Sequence, residues 1–187
     1  MKNKISLIVL LLFSICANAA DDAQLIKESN QSIKGFASQL KAQLQKGMKA
    51  GGPVSAIQVC KNSAEQIAQQ VSEQAGWKIS RTSLRVRNSG NAPDSWEKKV
   101  LTDFEQRHEK GESVEKLEFS ETITTEDGSD FRYMKAIPMQ AVCLSCHGEY
   151  LSTEVEKILA EQYPQDQATG FELGDIRGAF SITRQLN

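Results

Sequence analysis

Residues 141–149 read AVCLSCHGE, which places Cys143 and Cys146 three apart with His147 directly behind the second. A shuffle of this composition would produce C-x-x-C-H roughly seven times in ten thousand, so the arrangement calls for a chemical reason. On a helical turn, residues three apart share a face, so both sulfurs can reach two vinyl groups of a single porphyrin as thioethers. The imidazole of His147 then follows as an axial ligand to iron, and Gly148 leaves room near the macrocycle edge. The spacing thus predicts one covalently attached haem c, held by Cys143, Cys146 and His147.

Three other chemistries use such residues. A disulfide between Cys143 and Cys146 leaves His147 unexplained. A thioredoxin-like pair would open a helix in a βαβ unit, whereas the flanking pattern here is an antiparallel hairpin and Gly148 interrupts the following helix. A zinc site needs a fourth ligand, and adjacent residues such as Cys146 and His147 rarely bind one tetrahedral metal together.

Compartment and cysteine count agree with the haem reading. The chain has 187 residues and begins MKNKISLIVLLLFSICANAA. Lys2 and Lys4 supply a positive n-region, Ile5 to Ile15 a short apolar run, and Ala17-Asn18-Ala19 a small-residue cleavage site. This is the pattern of a secretory leader over 1–19, with a single domain over 20–187 and a periplasmic destination. The apolar run is shorter than the ~20 residues a bilayer span needs, so no stable membrane insertion is expected after cleavage. Bulky Ile15 argues against lipid attachment at Cys16. Losing the leader removes Lys2 and Lys4, leaving 20 basic against 24 acidic side chains. Mild acidity without a basic tract speaks against nucleic acid as a partner. Cys16 also departs, so Cys60, Cys143 and Cys146 remain. An odd count in an oxidising compartment leaves one thiol to be accounted for.

The elements that must position the motif follow from periodicity. Residues 21–48 carry Leu25, Ile26, Ile33, Phe36, Leu40 and Leu44 at helical steps, ending at Gly47 and Gly51-Gly52-Pro53. A second helix closes at Gly76, and its apolar face includes Ala56, Ile57, Cys60, Ala64, Ile67, Ala68 and Val71. WKISRTSLRVRNSGNAP predicts a strand and then a polar loop. A helix opens at Pro93-Asp94-Ser95 and runs to about Lys110, with Trp96, Val100, Leu101 and Phe104 inward. KLEFSETITT and DFRYMKAIPM predict a β-hairpin leading straight into the cysteine motif. A short helix over Thr153 to Gln162 and a last strand, IRGAFSITRQL, complete an α+β fold with an antiparallel sheet, N-terminal helices and helical insertions.

Residue types leave several candidates for the position opposite His147: Met48, Met134, Met139, His108 and Cys60. The methionines are ordinary core filler, and His108 lies in the charged helix end RHEKGE. Cys60 could equally be a small buried hydrophobe. Two features favour it: it is the unpaired thiol, and it projects from an apolar helix face where a flat cofactor could pack. Arg81, Arg85 and Arg87 alternate along RTSLRVR and are candidate partners for haem propionates on one strand face, with Arg132 a weaker one. Trp96, Phe131, Tyr133 and Ile137 are either pocket lining or core.

AIQVCKNSAEQIA, ISRTSLRVRNSGNAPDSWEKKVL and AVCLSCHGE together resemble the PAS-like single-haem c-type cytochromes, extracytoplasmic domains found alone or as input modules of signalling proteins. The resemblance spans nearly the whole mature chain. It implies a PAS-like sheet and iron held by the motif histidine and a cysteine on an N-terminal helix, which are His147 and Cys60 here. The family's Arg-Asn-Pro turn reads Arg87-Asn88-Ser89 in this chain. Such ligation implies a low reduction potential. Two functions are then expected: single-electron transfer to a redox protein, or a stand-alone redox or gas sensor read by a signalling partner, with a diatomic gas displacing the sulfur. No triad, phosphate cradle or carboxylate pair suggests an enzyme.

Overall fold

The computed structural model describes residues 5–186, with side chains from Asp21 onward, so the expected n-region, Lys2 and Lys4, lies outside the described residues. The chain opens as one bent helix, α1 (Ile5–Ala75), broken at Gly51 and Gly52 just before Pro53. Gly52 has φ 67°, in the left-handed region that favours glycine, and the break folds the helix back on itself. Gly47 does not end the first arm, as the sequence suggested. It is instead where the arms touch, since a Cβ there would sit 2.6 Å from the Ala56 Cα. Among the described residues no helix is long and apolar enough to cross a membrane.

Four antiparallel strands form a sheet in the order β1-β4-β3-β2: β1 (Lys78–Thr82), β2 (Glu118–Thr125), β3 (Gly128–Pro138) and β4 (Ile176–Leu186). Thr125 pairs with Gly128, so the β2–β3 turn is tighter than the four-residue separator expected. Period-two alternation gives the sheet two apolar faces. Phe131, Tyr133 and Ile182 pack against Ile33, Phe36, Ile67 and Val71 of α1. Met134, Ala136 and Ala179 face Val100, Leu101 and Phe104 of α2 (Ser95–Glu109). Asp94 and Glu97 form a capping box at the start of α2, satisfying N–H groups that the first turn leaves unpaired. The α+β class expected from the sequence is the one observed.

Strand β1 ends at Thr82, so Arg85 and Arg87 do not share a strand face with Arg81 as predicted. The cause is local. The Ser83 hydroxyl donates to the Arg177 carbonyl oxygen at 2.9 Å and accepts the Arg85 N–H at 3.1 Å, turning the chain out of the sheet. Gly178, φ 152°, makes room for this turn, because a side chain there would run into the Thr82 carbonyl oxygen and meet the Ser83 Cβ at 3.0 Å. Gly178→Ala is accordingly expected to destabilise the protein by at least ~2 kcal/mol, measured by urea unfolding.

The β3–β4 connection carries a turn of 3-10 helix (Ala141–Cys143), α3 (Leu144–His147) and α4 (Thr153–Gln162). Ile57 of the second α1 arm, Cys146, Val155, Ile158 and Leu159 form one cluster, which docks this connection onto α1. The cysteine motif and the helix bearing Cys60 are thereby held against each other.

Candidate functional site

The motif occupies a single tight turn. Gly148 ends α3 by donating to the Leu144 carbonyl oxygen at 2.9 Å, and a Cβ at Gly148 would lie 2.6 Å from that same oxygen. Its glycine is therefore required by the turn itself. Cys146 is buried and Cys143 half-buried. Behind them residues 166–171 form a brace. The Phe171 N–H donates to the His147 carbonyl oxygen at 3.0 Å, and the Gly170 N–H to that of Gly148 at 2.9 Å.

The brace also fixes the His147 ring. Its Nδ1 lies 2.6 Å from the Ala168 carbonyl oxygen. A carbonyl only accepts, so Nδ1 carries the proton and Nε2 keeps its lone pair. Burial, with Arg177 and Arg87 nearby, pushes the imidazole pKa down to about 2. The ring is neutral at physiological pH, and Nε2 is a ready metal ligand.

Arg87 ties the motif to the brace. Its Nε donates to Asp166 Oδ2 at 3.0 Å, and its Nη2 donates to the carbonyl oxygens of Ala168, at 3.1 Å, and Cys146, at 2.5 Å. Asp166 Oδ1 in turn accepts the Ala168 N–H at 2.8 Å. Arg85 donates from Nε to the Gln167 carbonyl oxygen at 3.3 Å and stacks on Phe171 at 4.0 Å. Two of the three arginines expected to meet propionates are thus engaged with protein groups. Arg81 remains on β1, 5.7 Å over the Phe36 ring. Asn88 caps the turn after Arg87 by accepting the Gly90 N–H at 3.0 Å.

Cys60 is half-buried on the second α1 arm, less enclosed than its place in the apolar stripe implied. Burial pushes its thiol pKa up, and the positive charges of Arg81 and Arg87 oppose that shift. The fields of Cys60 and Arg87 reach Cys146 as well, and those of Cys60, Arg87 and Arg81 reach the half-buried Tyr163 phenol. Cys146 and Tyr163 share the cluster around Ile57, and Lys61, next to Cys60, lies 5.7 Å over the Tyr163 ring, which places Cys60 beside the motif.

The other candidates for the position opposite His147 are placed differently. Met134 is fully buried in the α2-side core. His108 sits at the end of α2 with Nδ1 3.2 Å from the Glu112 carbonyl oxygen, which fits the helix-end role. Met48 is half-buried near the α1 hinge. Met139 is buried beneath the motif with Ala168 and Phe171. Phe131 and Tyr133 are core on the α1 side, Ile137 is half-buried in β3, and Trp96 packs against the α2-side core with Arg132 4.2 Å over its ring. Arg132 is paired to Asp94 at 2.8 Å, so it too is committed to α2.

Sequence reasoning missed Arg177, Asp166 and the Ala168 carbonyl. Arg177 had a signal, a lone cation inside the otherwise apolar start of IRGAFSI. Ala168 had none, because a backbone oxygen has no signature in composition.

The family model of the Tll0287-like family, Tll0287, matches residues 14–184. No curated protein matches the chain. Among solved structures, the crystal structure of the cyanobacterial heme-protein Tll0287 superposes with a TM-score of 0.60 at 23% identity. That match covers 88% of this chain and 94% of the other, a similarity of fold. Both findings agree with the family resemblance carried by the three sequence blocks.

Proposed function

The chain belongs to the Tll0287-like family, and from that premise we propose that it is an exported haem protein: a periplasmic mono-haem c-type cytochrome that passes single electrons to a redox protein. Cys143 and Cys146 would hold the porphyrin as thioethers, His147 Nε2 would bind the iron on one side, and the Cys60 sulfur on the other. A solved structure with the same fold is described as a heme-protein, which supports the cofactor class. One observation carries the reading: His147, next to two thiols, is held by the Ala168 carbonyl in the tautomer that leaves Nε2 unprotonated.

A bound iron porphyrin supplies a one-electron couple. The chain's part is to set its potential and keep water away. A thiolate from Cys60 favours the ferric ion, which places the couple low compared with a histidine–methionine pair. The cluster of Ile57, Val155, Ile158 and Leu159 encloses Cys146 in apolar surroundings. We propose no catalytic turnover, because His147 and Cys60 would fill both protein-side positions of the iron.

A second reading is a stand-alone redox or gas sensor. It is favoured by the separation of the two axial residues: His147 is braced within the β3–β4 connection, while Cys60 rides on an α1 arm that follows a glycine break. Carbon monoxide added to the reduced protein separates the readings. A carrier leaves the gas unbound, and a sensor gives up the sulfur.

The cofactor itself is tested by expression in a host that matures c-type cytochromes, followed by intact mass measurement of the denatured protein and a pyridine haemochrome spectrum. The expected mass exceeds that of the leader-cleaved chain by one haem, and Cys143→Ala/Cys146→Ala abolishes the increment. A denatured protein of bare polypeptide mass would overturn the proposal.

A further inference from the structure

Arg177 makes incomplete use of a costly position. Its Nη1 donates to Ser83 Oγ at 3.2 Å and to the Arg85 carbonyl oxygen at 3.3 Å, and its guanidinium lies 5.5 Å from the Phe171 ring centre. Its Nε is buried with no hydrogen-bond partner. On the neighbouring strand Arg81 lies opposite Phe180 in the β1–β4 ladder, and its side chain makes no hydrogen bond or ion pair among the described residues. Burial, together with the positive charges of Arg87 and Arg81, pulls the Arg177 pKa down to about 10. Asp166 opposes that shift, but its carboxylate is already bound by Arg87 at 3.0 Å.

Three guanidiniums therefore share the surroundings of His147, and Asp166 is bound to one of them. Buried charges are kept where they are paired, and an orphaned buried donor beside unpaired charge calls for a partner the protein itself does not supply. The planar fork of arginine matches a carboxylate in both charge and shape. Arg87 is spent on the brace and Arg85 is exposed against Phe171, so the enclosed donors left for an incoming anion are Arg177 and Arg81.

We propose that Arg177 and Arg81 form a carboxylate-binding subsite that takes the propionate side chains of the haem. The assignment rests on the haem reading above. It moves the propionate role away from Arg87, and it gives the last strand a ligand-binding residue. Arg177 acts here through binding and charge, so its loss changes the cofactor's electrostatic surroundings and leaves thioether attachment intact.

The test uses the mature holoprotein and its Arg177→Gln, Arg81→Gln and Arg177→Lys forms, read by resonance Raman in the propionate-bending region and by midpoint potential. The expected result is a full haemochrome yield throughout. The propionate band should shift and the potential fall in Arg177→Gln, with a second shift in Arg81→Gln. Arg177→Lys, which keeps the charge without the fork, should move the potential less than Arg177→Gln and supplies the readout if the glutamine form folds poorly. Propionate bands and potentials that match the parent in all three variants, at normal haemochrome yield, would overturn the subsite and leave the haem reading standing. A parent protein with no haemochrome would instead overturn the reading on which it rests.

Discussion

Arg87→Ala is expected to cost about 3 kcal/mol of stability, a large part of what a domain of this size has to lose. Arg87 and Asp166 side chains are only 12% and 9% exposed, so the ion pair is enclosed and salt screens it little. Deleting one partner leaves an enclosed carboxylate unpaired, which is the costly way to break such a pair. The same change strips a donor from the carbonyl oxygens of Cys146 and Ala168. Ala168 is also the acceptor that orients His147, so the loss reaches the ring geometry and not the fold alone. Arg87→Lys keeps a charge but cannot reach three acceptors with one planar group, so about half the loss is expected. Urea unfolding followed by circular dichroism measures both. A loss below ~1 kcal/mol for the alanine form would mean that Arg87 acts as an ordinary surface residue.

This arginine also shows where sequence reading stops. The helix over Thr153–Gln162 and the strand over Ile176–Leu186 were legible to the residue, because caps, periodicity and alternation are local signals. The partners of Arg87 and Arg177 lie 79 and 94 residues away along the chain, and no local pattern encodes them. For the same reason three alternating arginines resembled a ligand-binding strand face, when Ser83 had already turned two of them out of the sheet. Gly47 was misread by the same logic. A glycine near a helix end suggests termination, but here it permits the approach of Ala56 from the returning arm. Trp96, Phe131 and Tyr133 were ambiguous between core and pocket, since both roles need apolar surface. The sheet's two packed faces decide it in favour of core. The cysteine motif was legible as a single turn because residues three apart on a helical turn, closed by a glycine, are again a local signal.

Cys60→Ala separates the site's chemistry from its architecture. Cys60 is small and half-buried, and its arm is fixed independently. Ile57 packs in the cluster around Cys146, and Lys61 Nζ donates to Gln162 Oε1 of α4 at 2.8 Å. Truncating the thiol is therefore expected to cost no more than about 1 kcal/mol of stability and to leave the proposed attachment at Cys143 and Cys146 intact. The cofactor's properties should change much more. With the proposed thiolate gone, the absorption and paramagnetic-resonance signatures of sulfur ligation are expected to vanish, and an external ligand gains an open position. Axial ligands tune haem potentials over a range of ~0.8 V, and a rise on the order of 0.1 V is expected when an electron-donating thiolate is removed. Cys60→Met refines the comparison, because a thioether keeps a sulfur ligand but withholds the charge. Its potential should rise while the iron stays six-coordinate and low-spin. An alanine form that retains the parent's low-spin spectrum and potential would remove Cys60 from the iron and reopen the position opposite His147.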